Sequence, residues 1–436
     1  MREMKDSGVA WLGDIDSRFD IKAIGNLFTI KKNIIGREPD QVLSITQRGI
    51  KIKDTTSNEG QNAASYAHYQ IVNVGDFAMN HMDLLTGWVD ISQYEGVTSP
   101  DYRVFTLSDN TQIPEYFLRV FQMYYSNRVF YAFGQGAANL GRWRLPRENF
   151  VKIAIPCPPV ELQRKIVDEI AAKVSKVDAL IANQQAQIEK LKQYKQSLIT
   201  EVVTKGFDPN APMRDSGLEW IGQIPQNWVV TRIKYIIDNS DFGIKCGPFG
   251  SALTGKVIDN GEILVYGQWN IVNGDFSIRR NTISKDDYES LASYKVEPND
   301  VLVSMMGTIG KCAIVPQDIA LGIMDSHVIK IRLNKDVILP SFFQFVYDKD
   351  NSFEVFEYFT RKKKGFIMDG LNTSVIKNAY FVLPPLEEQQ KMVDFLNEKC
   401  TTIQRLIEIK QDKIEKLNQY KKSLIYECVT GKKEVV

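Results

Sequence analysis

The chain carries one stretch twice. Residues 188–204 read IEKLKQYKQSLITEVVT and residues 414–430 read IEKLNQYKKSLIYECVT; thirteen of the seventeen positions agree, at a constant offset of 226. A repeat of this length fixes the architecture before any local propensity is weighed. Two further pairs complete the pattern. MKDSGVAWLGDI at 4–15 matches MRDSGLEWIGQI at 213–224 with an offset of 209, and PPVELQRKIVD at 158–168 matches PPLEEQQKMVD at 384–394, again at 226. The order is a short motif, a variable block and a Pro-Pro helix, and then all three again. The offset grows from 209 to 226, so the second block is about seventeen residues longer.

The Pro-Pro pairs fit helix starts, where a missing N–H costs little. In the first helix, apolar residues fall at Ile170, Val174, Val177, Ile181, Ile188, Leu191, Leu198 and Val202, with gaps at Gln184 and Lys195. In the second, Leu396, Cys400, Ile403, Ile407, Ile414, Leu417, Leu424 and Cys428 take the equivalent places, with gaps at Lys410 and Lys421. Steps alternating between three and four describe a coiled-coil seam. Each helix spans about 45 residues, or roughly 65–70 Å. One such helix cannot hide its seam alone. It either buries the seam in its own domain or pairs with the other helix, and an antiparallel pair would place the two blocks at opposite ends.

The blocks themselves read as mixed α and β. In the first, 42–46, 76–80, 102–107 and 151–155 have strand character, and a helix is expected over 115–130 after Pro114. The second repeats the order: strands at 262–267, 300–306, 312–315 and 327–333, a helix from Pro340, then a strand at 380–383. The expected fold is therefore α+β, with two mixed domains of pseudo-two-fold symmetry separated by an antiparallel coiled coil. The expected segments are a first domain with its lead-in motif at 1–155, the first helix at 156–206, a linker with the second lead-in at 207–225, a second domain at 226–383, and the second helix with its tail at 384–436.

Composition narrows the class. The chain is 44% hydrophobic and 25% charged, without an apolar run long enough to span a membrane, and its start is charged rather than signal-like. Five scattered cysteines without CxxC spacing suit a reducing compartment, so a cytoplasmic location is expected. Three dispersed histidines give no readable metal site. A net charge of only +1 means that any nucleic-acid role must rest on local patches or on a partner's charge.

Catalytic motifs are not evident. GSALTGK at 250–256 satisfies GxxxxGK, but Val257 stands where the magnesium-binding Ser or Thr would be, and a strand rather than a helix follows. The Pro-Pro sites lack the polar and aromatic members of an adenine-methyltransferase loop. No glycine-rich loop for S-adenosylmethionine and no convincing nuclease constellation is found. What remains is a set of polar and basic loops. In the first block these are Thr46, Gln47 and Arg48 with Lys51 and Lys53, then Asn80 and His81, then Arg142, Trp143 and Arg144. In the second they are Lys245, Phe249 and Ser251, then Gln268, Trp269 and Asn270, then Lys311, and the run Arg361, Lys362, Lys363, Lys364. Such residues can read base edges or clamp phosphates. A solvated surface charge explains any one of them; their recurrence on turns at like positions in both blocks favours DNA.

The duplicated helix start, the duplicated helix end and the duplicated DSG lead-in together resemble the specificity subunit (HsdS) of type I restriction–modification systems, over nearly the whole chain. The resemblance implies two target recognition domains, each reading one half of a bipartite, asymmetric DNA site, with the two helices as spacer and docking element. It implies a chain without catalysis or cofactor of its own. The expected partners are double-stranded DNA, two HsdM methyltransferase subunits carrying S-adenosylmethionine, and two HsdR subunits using ATP and Mg2+. Two other classes stay open: a stand-alone methyltransferase or nuclease with unrecognised motifs, and a coiled-coil adaptor that binds protein.

Overall fold

The computed structural model describes residues 3–56, 62–136, 143–218, 221–240, 243–249, 252–253, 255–348, 350–351 and 373–435. It divides into two compact units, Met1–Gln185 with Gln411–Val436, and Ala186–Lys410. Each long helix is thus shared between the units, where the sequence suggested helices separate from the domains. Among the described residues no helix is long and apolar enough to cross a membrane.

The lead-in repeat folds the same way twice. Met4–Asp6 pairs antiparallel with Asp14–Asp16, and Met213–Asp215 with Gln223–Pro225. The N–H of Ser7 donates to the carbonyl of Gly13 at 3.2 Å, and that of Ser216 to Gly222 at 2.9 Å. Gly13 and Gly222 have φ of 61° and 70°, which is why the motif needs glycine there.

Each unit is built on a four-stranded antiparallel sheet of the same order. In the first it runs Phe28–Lys31, Arg103–Leu107, Phe77–Met79, Val89–Ile91. In the second it runs Ile244–Cys246, Val328–Ile331, Val301–Ser304, Cys312–Ile314. A helix starting at proline follows the sheet in both units, Pro114–Ser126 and Pro340–Tyr347. The expected helix over 115–130 is shorter because Arg128 turns left-handed (φ 57°), which directs Val129 and Phe130 into the core. The strand expected at 151–155 begins only at Ala154. The carbonyls of Val151 and Ile153 instead accept from Gly25 and Ile24, and Ala154–Cys157 then pairs with Asp20–Ala23. Tyr380–Leu383 pairs with Val229–Arg232 in the same manner.

The first core is aromatic, with Phe28, Phe77, Phe105 and Phe121 packed edge to face or stacked. The second is richer in Ile and Val, around Phe342, Phe343 and Phe381. Both cores take in the long helices. Ile166, Ile170 and Val174 from the start of Val160–Lys205 meet Leu424, Cys428 and Val429 from the end of Leu386–Val429 in the first unit. In the second, Ile199, Val202 and Val203 meet Met392, Val393 and Leu396. The start of one helix lies with the end of the other in each case, so the pairing is antiparallel.

Along the seam, Ile170, Val174, Val177, Ile188, Leu396, Ile403, Ile407 and Leu424 are buried. Ile181, Leu191, Leu198, Ile414 and Leu417 are half-buried. At the end of the first helix Ile199 and Val203 are buried beside Val202, and Leu198 packs against the same core, because a domain core covers a wider stripe than a partner helix does. Gln184, at a gap in the pattern, is buried nonetheless. Lys410, at a gap of the other helix, donates to the Gln187 side-chain carbonyl, and Lys421 pairs with Asp178 at 2.7 Å.

Candidate nucleic-acid interface

In the first unit the hairpin Leu43–Thr46/Gly49–Ile52 has Gln47 and Arg48 at its tip, both exposed. In the second, the antiparallel pair Ile263–Tyr266/Asn281–Ile283 has a longer excursion in the same place, containing a short helix Gln268–Asn273. That helix was not foreseen; the residues had been read as a turn. The two tips are tied down alike. The Gln47 amide donates to the Thr86 carbonyl at 3.3 Å, and the Gln268 amide to the Met306 carbonyl at 2.7 Å. Thr86 and Met306 both lie in the loop leaving the third strand of the four-stranded sheet. Tip and strand-end loop therefore form one surface in each unit.

Around the first surface the candidates separate by role. Thr46 shapes the turn: its hydroxyl donates to the Gly49 carbonyl at 2.9 Å and accepts from the Arg48 N–H at 3.1 Å. Lys51 is exposed on the hairpin. The Asn80 side chain accepts from Met82 N–H, and its carbonyl accepts from the Tyr125 hydroxyl at 2.6 Å. The His81 carbonyl accepts from Leu145 N–H. The imidazole is largely buried, and its Nδ1 has no hydrogen-bond partner among the described residues. Burial first, and then the positive charges of Arg103 and Arg144, push its pKa down to about 3, so the ring is neutral. Trp143 packs within the unit and is half-buried. Its ring stacks on Tyr131, and its Nε1–H donates to the Tyr131 carbonyl at 2.7 Å. Arg144, next to it, is exposed. Arg142 lies outside the described residues. Arg103, which the pattern did not single out, is buried over the Phe150 ring and donates to the Leu145 carbonyl, fixing the loop that carries Arg144.

In the second unit three candidates are engaged by the protein's own groups. Asn270 is 4% exposed: its amide donates to the carbonyls of Asp275 and Ile278, and its oxygen accepts from Gly267 N–H, so it builds the tip and faces no ligand. Lys245 is half-buried with its ammonium 4.2 Å from the centre of the Tyr294 ring. Lys311 is bound to Asp350 at 2.8 Å and to Asp348 at 3.5 Å. Burial alone would lower its pKa, but the two carboxylates raise it. Phe249 and Trp269 are exposed, at 64% and 53%. Arg280 lies 3.6 Å over the Trp269 ring, a cation–π platform between residues eleven positions apart that no motif links. Ser251, Arg361, Lys362, Lys363 and Lys364 lie outside the described residues. No cluster of His, Cys, Asp and Glu fit to hold a metal occurs among the described residues.

Comparison with known proteins adds a set of likenesses. Residues 225–419 match the model of the type I restriction modification DNA specificity domain. The chain is 24% identical over 425 residues to the putative type I restriction enzyme MjaX specificity subunit of Methanocaldococcus jannaschii, covering 94% of this chain and 91% of that protein. It is 26% identical over 247 residues to the EcoBI specificity subunit of Escherichia coli, covering 55% and 50%. Among solved structures, a chain from a type I R-M system superposes with a TM-score of 0.68 at 14% identity, covering 95% of this chain and 98% of that one. The HsdS subunit of Thermoanaerobacter tengcongensis gives 0.50, also at 14% identity, covering 96% and 98%. These two likenesses concern the fold. The domain match, the near full-length relative and the twofold-repeated frame agree in one direction: the chain is similar to the specificity subunits of type I restriction–modification systems.

Proposed function

We propose that each unit reads one half of a bipartite, asymmetric double-stranded DNA site, and that the paired helices set the spacing of the halves and dock the catalytic subunits. The observation that carries this reading is the shared frame with unlike contents. Gln47 and Gln268 tie equivalent tips to equivalent loops, yet Asn80 and His81 follow the strand in one unit where Met305 and Met306 follow it in the other. Two readers of unlike half-sites need that combination.

The chain acts as a non-catalytic component. It selects the site for two HsdM subunits, which carry S-adenosylmethionine, and for two HsdR subunits, which use ATP and Mg2+. With a net charge of +1, it depends on its partners to surround the duplex, so binding by the chain alone is weak and salt-sensitive. The test is a domain exchange. Replacing residues 19–155 by the block of another specificity subunit and mapping methylated adenines in cells should change one half of the site and leave the other half and the spacer intact. Changes in both halves, or in neither, would reject the reading. Adding one helical turn to both long helices should alter the spacer alone.

A further inference from the structure

We propose that the second unit reads its half-site by apolar contact with the 5-methyl group of a thymine, made by Phe249 and Met306. This rests on the reading that the units contact DNA, and it names the chemical feature that one of them selects.

Phe249 and Met306 are 64% and 53% exposed and line an open cleft of about 530 Å3 together with Val257 and the buried Leu253 and Met305. Large apolar side chains grouped in the open mark a contact surface. The chemistry of the walls says which contact. Among the described residues lining the cleft there is no Lys or Arg, and the lining is mostly apolar. Its polar edge is formed by Asp325, Ser326 and His327. The Ser326 hydroxyl lies 3.1 Å from His327 Nδ1, and the Asp325 carboxylate 3.7 Å from it, which orients the ring. A carboxylate would be repelled by the DNA backbone but accepts from exocyclic amines of bases. A wall that is apolar on one side and accepting on the other fits the major-groove edge of a base pair, where the thymine methyl is the apolar group on display.

The cleft is also continuous with the candidate interface. The Met306 carbonyl that accepts from Gln268 joins its rim to the Trp269–Arg280 platform. That platform supplies a cation to meet a phosphate beside the base being read. In the first unit the equivalent strand end carries Asn80 and His81 instead, so the requirement for a methyl group belongs to the second half-site.

The test uses the full chain assembled with its methyltransferase subunit and a duplex containing the site found by methylome mapping. Each thymine is replaced in turn by deoxyuridine, which removes the methyl group and keeps every hydrogen-bonding group. At one thymine of the second half-site, affinity should fall about fourfold, the value of one buried methyl(ene). In Phe249→Ala and Met306→Ala, which alter exposed side chains, that difference should shrink towards none. Specific binding that is indifferent to every thymine of that half-site overturns the proposal and leaves half-site reading standing. So does a deoxyuridine penalty that persists unchanged in both variants. Loss of methyltransferase association in the variants also overturns it, by showing that protein covers the cleft. If exchanging residues 226–383 changes neither half of the site, the underlying reading itself fails.

Discussion

The side-chain carbonyl of Gln163 accepts a hydrogen bond from the backbone N–H of Ile113 at 3.0 Å. In the other unit Gln389 does the same for Leu339 at 2.9 Å. Ile113 and Leu339 each stand immediately before the proline that opens the helix following the sheet. Both glutamines are fully buried, and their amides donate to the carbonyls of Pro158 and Pro384. The glutamine of the Pro-Pro motif thus fastens the first turn of each long helix to a recognition domain, at the one point where a frame shared by unlike domains needs a rigid joint.

Replacing Gln389 by Leu should leave the Leu339 N–H and the carbonyls of Val337 and Pro384 buried without partners. The expected cost is about 2–4 kcal/mol in urea unfolding. Hydrogen exchange at the Leu339 amide should accelerate more than at sheet amides of the same unit; equal acceleration everywhere would contradict a local joint.

His81 gives the first unit a pH dependence. Its pKa lies at about 3 when folded against the ordinary 6.5, so below pH 6.5 the unfolded chain binds the proton that the folded one refuses. Stability is therefore unaffected above that pH and declines as pH falls through the window between 6.5 and 3. By pH 5.5 the loss should be about 1 kcal/mol. His81→Gln should lose about that much less than the parent chain between pH 7.5 and 5.5. Parallel decline of the two would show that the imidazole is not the group responsible.

Asn270 and Trp269 are neighbours with opposite duties. Asn270→Ala removes three hydrogen bonds that build the tip and should cost about 1–3 kcal/mol of stability. Trp269→Ala, at a half-exposed ring, should stay within about 0.5 kcal/mol while weakening DNA binding by the assembled complex. Thermal unfolding and a salt-matched binding titration on both variants separate the two effects.

Glycines of similar φ should differ in tolerance. A Cβ on Gly431 (φ 69°) would lie 2.6 Å from the Asp16 Cβ, whereas one on Gly217 (φ 74°) meets nothing within 4 Å. Gly217→Ala should carry only the left-handed penalty of about 1 kcal/mol. Gly431→Ala should cost more, because the chain end must also move off the lead-in motif. Similar melting temperatures for the two variants would contradict this.

Much of the architecture was legible because it rests on period and repetition. The seam positions Ile170, Val174, Ile403 and Ile407 declare themselves by spacing, and the strands near 43–46, 301–304 and 328–331 by β-branched runs between turns. Strand partners were not legible: Asp20–Ala23 carries no strand pattern of its own and is extended because Ala154–Cys157 pairs with it. The candidate interface was half legible. Residue type pointed to Arg48, Trp269 and Asn270 alike, but type does not say which side chain turns inward.

The sequence by itself determined the duplicated frame and the two long helices, since identity at a fixed offset and a 3.5-residue period are properties of the string. Only the tertiary structure decided which of the candidate residues are held by the fold. Asn270, Lys311 and Trp143 are engaged by Asp275, Asp350 and Tyr131. A buried polar group must find a partner wherever the fold brings one, and that distance is not written along the chain.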